Sequence, residues 1–279
     1  MKVSLFSQSL FAVPLREAIE MTAAIGFPAI ELACVKPHFD LNTTSGNPEG
    51  TVELIREKGL KVSALSLFNN FTDTELLEEQ VALSQTYIRM APLFGAKVIK
   101  MTPGPPDSRN AKEEHWRSLA AALDRLSPVA EETGVLLAFE THMGQLTDTL
   151  AGSRRLLDMA KSEVIGMTVD FSNLVFAGEQ PADIISSLRG RIYNTHIKNG
   201  IINADGSYRF LELDKGLTDY TKVLSLLRRA GYRGYLTVEC LGEDAAKRPF
   251  ETASRDLVIL NGYLKRIEQD SDIKGECDG

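Results

Sequence analysis

Cysteine, histidine and tryptophan are scarce in this chain, at three, four and one among 279 residues. Cys34, Cys240 and Cys277 are odd in number and form no C-x-x-C pair, which gives no basis for a disulfide framework and fits a reduced compartment. Basic charge is also short. Lys and Arg number 31 against 38 Asp and Glu, for a formal charge of −7 and a pI near 5.3. Without a basic stretch to release counterions, a nucleic-acid backbone is not an expected partner. No apolar run approaches the roughly 18 residues that a membrane span needs. The opening MKVSLFSQSLFAVPLREAIE has one lysine before an apolar run broken at Pro14, and no small-residue cleavage site follows, so it reads as a strand rather than a signal peptide. No G-x-G-x-x-G follows that strand, where an open dinucleotide-binding sheet would carry it. No Pro- or Ser-rich linker divides the chain. The rest of the composition is ordinary for a globular protein, 43% hydrophobic and 25% charged. A cytoplasmic protein without membrane or nucleic-acid partners is the expectation.

What the chain does have is repetition. Runs rich in Val, Ile, Leu and Phe alternate with longer amphipathic stretches. The predicted strands are 2–8, 29–34, 61–68, 97–103, 135–142, 165–173, 193–199 and 235–240. Helix-like segments lie between them at 15–26, 51–59, 74–95 and 113–134, and glycines such as Gly26, Gly59, Gly95, Gly134 and Gly231 stand where helices should stop. Eight such units of roughly 30 residues predict a single (β/α)₈ TIM barrel over residues 1–267. A polar, flexible tail is expected over 268–279.

The last four strands each end in a candidate metal ligand: Glu140, Asp170, His196 and Glu239. Alternate strand residues point the same way, and barrel sites sit at the C-terminal strand ends. If the small and polar members (Ala138 with Glu140 and His142; Thr168 with Asp170; Asn194 with His196 and Lys198; Thr237 with Glu239) face inward, the four ligands converge at one mouth. Their neighbours Leu137, Phe139, Val169, Ile197 and Val238 then pack outward beneath helices. Three carboxylates and an imidazole suit one hard or borderline divalent ion, Mn²⁺, Mg²⁺, Co²⁺ or Zn²⁺, and leave the site near −1. A single acid at a strand end is ordinarily a salt-bridged or capping residue; four with matching parity point to a metal.

These residues resemble the xylose-isomerase-like TIM barrels, a superfamily of sugar isomerases, epimerases and related dehydratases. The resemblance covers essentially the whole chain. It rests on GFPAIEL (26–32), HIK (196–198) and LDKGLTDYTKVLSLLRRAGYRGYLTVE (213–239), which is similar to the family's G-x-x-D-Y/F and GY-x-G-x-x-x-VE ending. It implies one divalent ion, Mn²⁺ first, on Glu140, Asp170, His196 and Glu239, with the two glutamates as acid and base in the epimerases. It also implies a homo-oligomer, for which no interface signature is readable.

Other residues bear on which reaction is run. His142 is a candidate general base or hydroxyl-binding group, or else a partner that orients a carboxylate ligand. Lys198 either holds a substrate oxygen or balances the site's negative charge. ETH, LTDT and HIK also resemble the 3-dehydroshikimate dehydratases, in which the residues matching His142 and Lys198 assist proton abstraction and loss of water. Where the epimerases and those dehydratases commonly carry D-x-x-H, this chain has Asp170-Phe-Ser-Asn173, so Asn173 is expected to hydrogen-bond a substrate hydroxyl but not to carry a proton. Phe6 and Phe68 are expected to wall the pocket, and His38 to reach substrate from a mouth-side loop. Arg209, in the long segment after the seventh strand, is either an anion or hydroxyl contact or a surface arginine.

The leading expectation is a metal-dependent sugar isomerase or epimerase acting through an ene-diolate on a sugar or polyol ketone. The alternative is a dehydratase of an inosose- or dehydroshikimate-like ketone. The superfamily's endonuclease-like branch needs many histidines and a DNA-binding surface, which four histidines and an acidic pI do not supply.

Overall fold

The alternation of strand and helix closes into a barrel. A computed structural model describes residues 1–43 and 47–275. Its eight parallel barrel strands are β1 (Lys2–Phe6), β2 (Ala29–Ala33), β3 (Lys61–Ser66), β4 (Val98–Met101), β5 (Leu136–Glu140), β6 (Ile165–Asp170), β7 (Ile192–Ile197) and β10 (Tyr235–Val238). Pairing of β1 with β10, Leu5 beside Val238, joins the two ends of the sheet and leaves no edge. The intervening pair, β8 (Asn199–Ile202) and β9 (Tyr208–Leu211), forms a separate antiparallel hairpin.

The helices are α1 (Leu15–Ile25), α2 (Pro48–Glu57), α3 (Leu77–Met90), α4 (Glu113–Thr133), α5 (Leu150–Met159), α6 (Phe171–Phe176), α7 (Pro181–Ser187), α8 (Tyr220–Arg229), α9 (Glu243–Lys247) and α10 (Pro249–Gly275). Their starts follow from local chemistry. Asn47, Thr149, Asp170 and Asp219 each use a side-chain oxygen to accept a backbone N–H of the first turn. The tail predicted from residue 268 begins inside α10, which runs through Gly275; residues 276–279, Cys277 among them, lie outside the described residues.

Two apolar regions divide at the sheet, as strand parity requires. Leu137, Phe139, Val169, Ile197 and Val238 are fully buried in the main core under the helices. Ala64, Val98 and Ala138 form a second, small cluster. Ala138 shares a strand face with Glu140, and Val98 with Lys100, so this cluster fills the barrel below the mouth. Among the described residues, no helix is long and apolar enough to cross a membrane.

Candidate metal centre and active site

The barrel brings the four strand-end residues together. Glu140 closes β5, Asp170 closes β6, His196 lies one residue before the end of β7, and Glu239 follows β10 directly. One ligand atom from each can be chosen so that all lie within 4.8 Å of one another, and all four side chains are buried. His196 Nδ1 is 3.2 Å from Glu140 Oε1 and 3.7 Å from Glu239 Oε2. Asp170 has two tasks: one carboxylate oxygen accepts the Asn173 backbone N–H at 3.1 Å, capping α6, and the other faces the cluster. That second oxygen has the Lys198 ammonium beside it at 2.8 Å, off the hydrogen-bond axis.

Two further charged residues, not singled out from the sequence, complete the site. Glu31 on β2 is wholly buried; its Oε1 lies 2.9 Å from His196 Nε2, and its Oε2 accepts Asn194 Nδ2 at 2.8 Å. Lys100 on β4 donates to Glu140 Oε2 at 2.8 Å. Lys198 donates to Glu239 Oε2 at 2.9 Å. The available signal was a lone charged residue in the middle of an otherwise apolar strand, AIELA or VIKM, where burial forces pairing.

These contacts set the protonation of the site. Burial pushes the Glu140 carboxyl up, but the charges of Lys100, His196 and His142 hold it well below the usual range. Burial and the nearby Glu239 and Glu140 charges push Asp170 up, against the opposing pull of Lys198. Burial alone would discharge His196, yet Glu31 and Glu140 raise its pKa well above the ordinary imidazole value. Lys198 is likewise held above its ordinary value by Asp170, Glu239 and Glu140, against its burial.

The residues fit a divalent ion. Asp170 crowded by like charges, and its cluster-facing oxygen off any hydrogen-bond axis, are what a cation would relieve. Four carboxylates (Glu31, Glu140, Asp170, Glu239) face two ammonium groups (Lys100, Lys198), a formal −2 with the imidazole neutral. The sequence-based count of −1 set three ligand carboxylates against the ion's +2; adding Glu31 and the two lysines makes the ion-loaded set neutral.

Of the other expected site residues, most stand near this cluster. Phe6 packs its ring 5.0 Å from that of His196 and stacks with Phe68 at 6.3 Å, and Lys100 Nζ lies 4.5 Å over the Phe68 ring. His142 is half-buried, with Nδ1 2.8 Å from the Met143 carbonyl and its charge felt by Glu140. Asn173 Nδ2 donates to the Thr141 carbonyl at 3.0 Å, while its buried Oδ1 has no partner among the described residues. Asn173 also lines a polar cavity of about 330 Å³ with Ser108, Asp148, Thr149 and Tyr208.

His38 departs from expectation, and Arg209 takes the surface position that was one of its two readings. His38 is 0% exposed; its Nε2 meets the Val13 carbonyl at 3.2 Å and its ring abuts Phe11, so burial under the β1–α1 segment keeps it from substrate. Arg209 is exposed on β9, and the cavity it lines lies against Leu241, Gly242 and Arg255 rather than the cluster. The hairpin contributes instead through Phe210, whose ring lies 5.4 Å from Lys198 Nζ.

The G-x-x-D-Y segment acquires a physical role here. Asp219 caps α8, and the Tyr220 hydroxyl donates to the Lys198 carbonyl at 2.5 Å and accepts the Lys198 N–H at 3.1 Å. A Cβ on Gly216 would come within 2.1 Å of Asn199 Oδ1, the oxygen that accepts the N–H groups of Gly200 and Thr218. The motif therefore fixes the backbone of the site lysine.

Comparison with known proteins agrees with this architecture. A family model described as xylose isomerase-like TIM barrel matches residues 19–258. Inosose dehydratase 2 of Bacillus cereus is 29% identical over 239 residues, covering 74% of this chain and 78% of the relative. Among solved structures, the probable 3-DHS dehydratase AsbF of Bacillus anthracis superposes with a TM-score of 0.79 at 18% identity, over 94% of this chain and 99% of that one. A D-tagatose 3-epimerase-like protein superposes with a TM-score of 0.80 at 19% identity, over 97% and 100%. At such identities the structural likenesses speak for the fold.

Proposed function

Because the chain belongs to the xylose isomerase-like TIM barrel family, we propose that it is a divalent-metal-dependent sugar isomerase or epimerase that removes a proton next to the carbonyl of a sugar or polyol ketone. The observation that carries this reading is the convergence of two glutamates, an aspartate and a histidine, all buried, at one barrel mouth. A bound ion, Mn²⁺ first and Mg²⁺, Co²⁺ or Zn²⁺ otherwise, supplies the Lewis acidity that makes the neighbouring C–H acidic. Glu140 and Glu239 are the carboxylates that take a proton and return one to the ene-diolate, and each has a buried ammonium group within 2.9 Å. Lys198 donates to the oxygen on which negative charge accumulates. Asn173 offers its unpartnered Oδ1 to a substrate hydroxyl, and Phe6 and Phe68 exclude water from the pocket wall.

A second reading is dehydration, in which the same ene-diolate expels a β-hydroxyl. It is favoured by the inosose dehydratases among the relatives and by Lys198, a buried ammonium able to protonate a departing hydroxide. His142, beside Glu140, is the second proton carrier in that scheme.

Metal-stripped protein reconstituted with Mn²⁺, incubated in D₂O with ketoses and inososes, separates the two readings. Deuterium at the carbon next to the carbonyl together with a new epimer or isomer supports the first. Loss of water to an absorbing enone without such an isomer supports the second. Absence of both exchange and turnover with every substrate and metal would set both aside.

A further inference from the structure

Three of the four carboxylates at the barrel mouth are metal-ligand candidates; Glu31 is the fourth and has no role in the scheme above. It is 0% exposed. An unpaired carboxylate buried this deeply would cost several kcal/mol. Both its oxygens are engaged: Oε1 with His196 Nε2 at 2.9 Å, and Oε2 with Asn194 Nδ2 at 2.8 Å. Asn194 is held in turn by Thr237 Oγ1, which donates to its Oδ1 at 3.4 Å. The pairing of β2 with β3 slips register between Ile30 and Glu31, the kind of irregularity that re-aims a side chain near a site. The opposite nitrogen of the same ring, Nδ1, is the one that faces Glu140 and Glu239.

We infer that Glu31 is a positioning residue, which holds the His196 ring with its proton on Nε2 and so presents Nδ1 to a divalent ion among Glu140, Asp170 and Glu239. The inference rests on the metal-site reading above. A carboxylate behind an imidazole ligand fixes its tautomer and orientation and raises its basicity, and losing one commonly lowers metal affinity about 10–100-fold. If Glu31 served only to balance the nearby Lys100 charge, its loss would instead alter stability and leave tautomer and affinity unchanged.

The test uses the whole chain, in which only four histidines need assignment. Nitrogen NMR of ¹⁵N-histidine-labelled, Zn²⁺-loaded protein should show His196 protonated at Nε2 and coordinated at Nδ1. Calorimetric titration of Mn²⁺ into metal-stripped protein should show weaker binding by about tenfold in Glu31→Gln, which keeps an acceptor but not the charge, and by about a hundredfold in Glu31→Leu. Circular dichroism reports folding, and if Glu31→Leu does not fold, the wild-type spectrum and Glu31→Gln carry the decision. A wild-type ring coordinated through Nε2, or folded variants with wild-type affinity, overturns the assignment of Glu31 alone. Wild-type protein that binds neither ion overturns the metal site and this inference together.

Discussion

Lys100 and Glu140 meet at 2.8 Å with 1% and 3% of their side chains exposed, so neither ion has water to fall back on. Replacing Lys100 by Met removes the ammonium partner of the buried Glu140 carboxylate and leaves, among the described residues, only His196 Nδ1, at 3.2 Å, in ion-pair range. The expected cost to the metal-free protein is about 3–5 kcal/mol by chemical denaturation, and less with saturating Mn²⁺, since the ion then neutralises the same carboxylate. An equal loss with and without metal would show that Lys100 serves packing alone. Glu239→Gln, in contrast, keeps its size and lies at the mouth beside Lys198; its expected signature is a fall in turnover of about 10²–10⁴ with the fold unchanged by circular dichroism. At this scale the sequence was readable where position carried information. Acids and a histidine at corresponding strand ends share one parity, and parity placed Glu140, Asp170, His196 and Glu239. Glu31 and Lys100 sit amid apolar strand residues, where a charged side chain declares only that some partner exists, and the partners lie 165 and 40 residues away. His38 followed the same mouth-side logic and was misplaced because the loop folds its ring under Phe11.

At the scale of elements, alternation of period was enough to place strands and helices, and glycine stops such as Gly26 (φ 100°) and Gly134 (φ 67°) adopt the left-handed backbone expected of a helix end. Breaks within a segment were harder to see. The helix expected over 74–95 ends at Met90 and passes into a tighter turn containing Pro92, and the strand expected over 193–199 stops at Ile197. The long segment after β7 was noted for its length, but not as the β8–β9 hairpin, because register between two four-residue strands depends on tertiary support. That support converges on Lys198. Its carbonyl accepts both the Tyr220 and the Ser172 hydroxyls, and its N–H donates to Tyr220. Tyr220→Phe should therefore loosen Lys198 more than it loosens the fold. The expected loss is about 1–3 kcal/mol of stability with metal affinity unchanged, accompanied by a fall in turnover of roughly tenfold. Unchanged turnover in a folded variant would separate Lys198 positioning from this contact.

For the molecule as a whole, the closed sheet and the charge balance at its mouth are one problem. A (β/α)₈ barrel gathers inward-facing side chains from all eight strands, and here that interior collects four carboxylates against two ammonium groups. Eight repeating units made the barrel legible, but a net charge summed over non-adjacent strands cannot be read before their register is known. If a divalent ion binds among Glu140, Asp170, His196 and Glu239, it does so in the folded barrel and has no comparable site in the unfolded chain. Binding therefore stabilises by mass action: about 2.7 kcal/mol at an ion concentration 100 times its Kd, which in a chain of 279 residues raises Tm by roughly 5 °C. Scanning calorimetry of chelator-treated protein, with Mn²⁺ added back in steps, measures this. The rise should follow the logarithm of ion concentration above Kd and should be largely absent in Asp170→Asn, which removes a ligand candidate while leaving an acceptor for the α6 cap. A rise of equal size in that variant would place the stabilising ion elsewhere on the acidic surface, and a flat response in the unaltered protein would mean that Lys100 and Lys198 alone hold the mouth together.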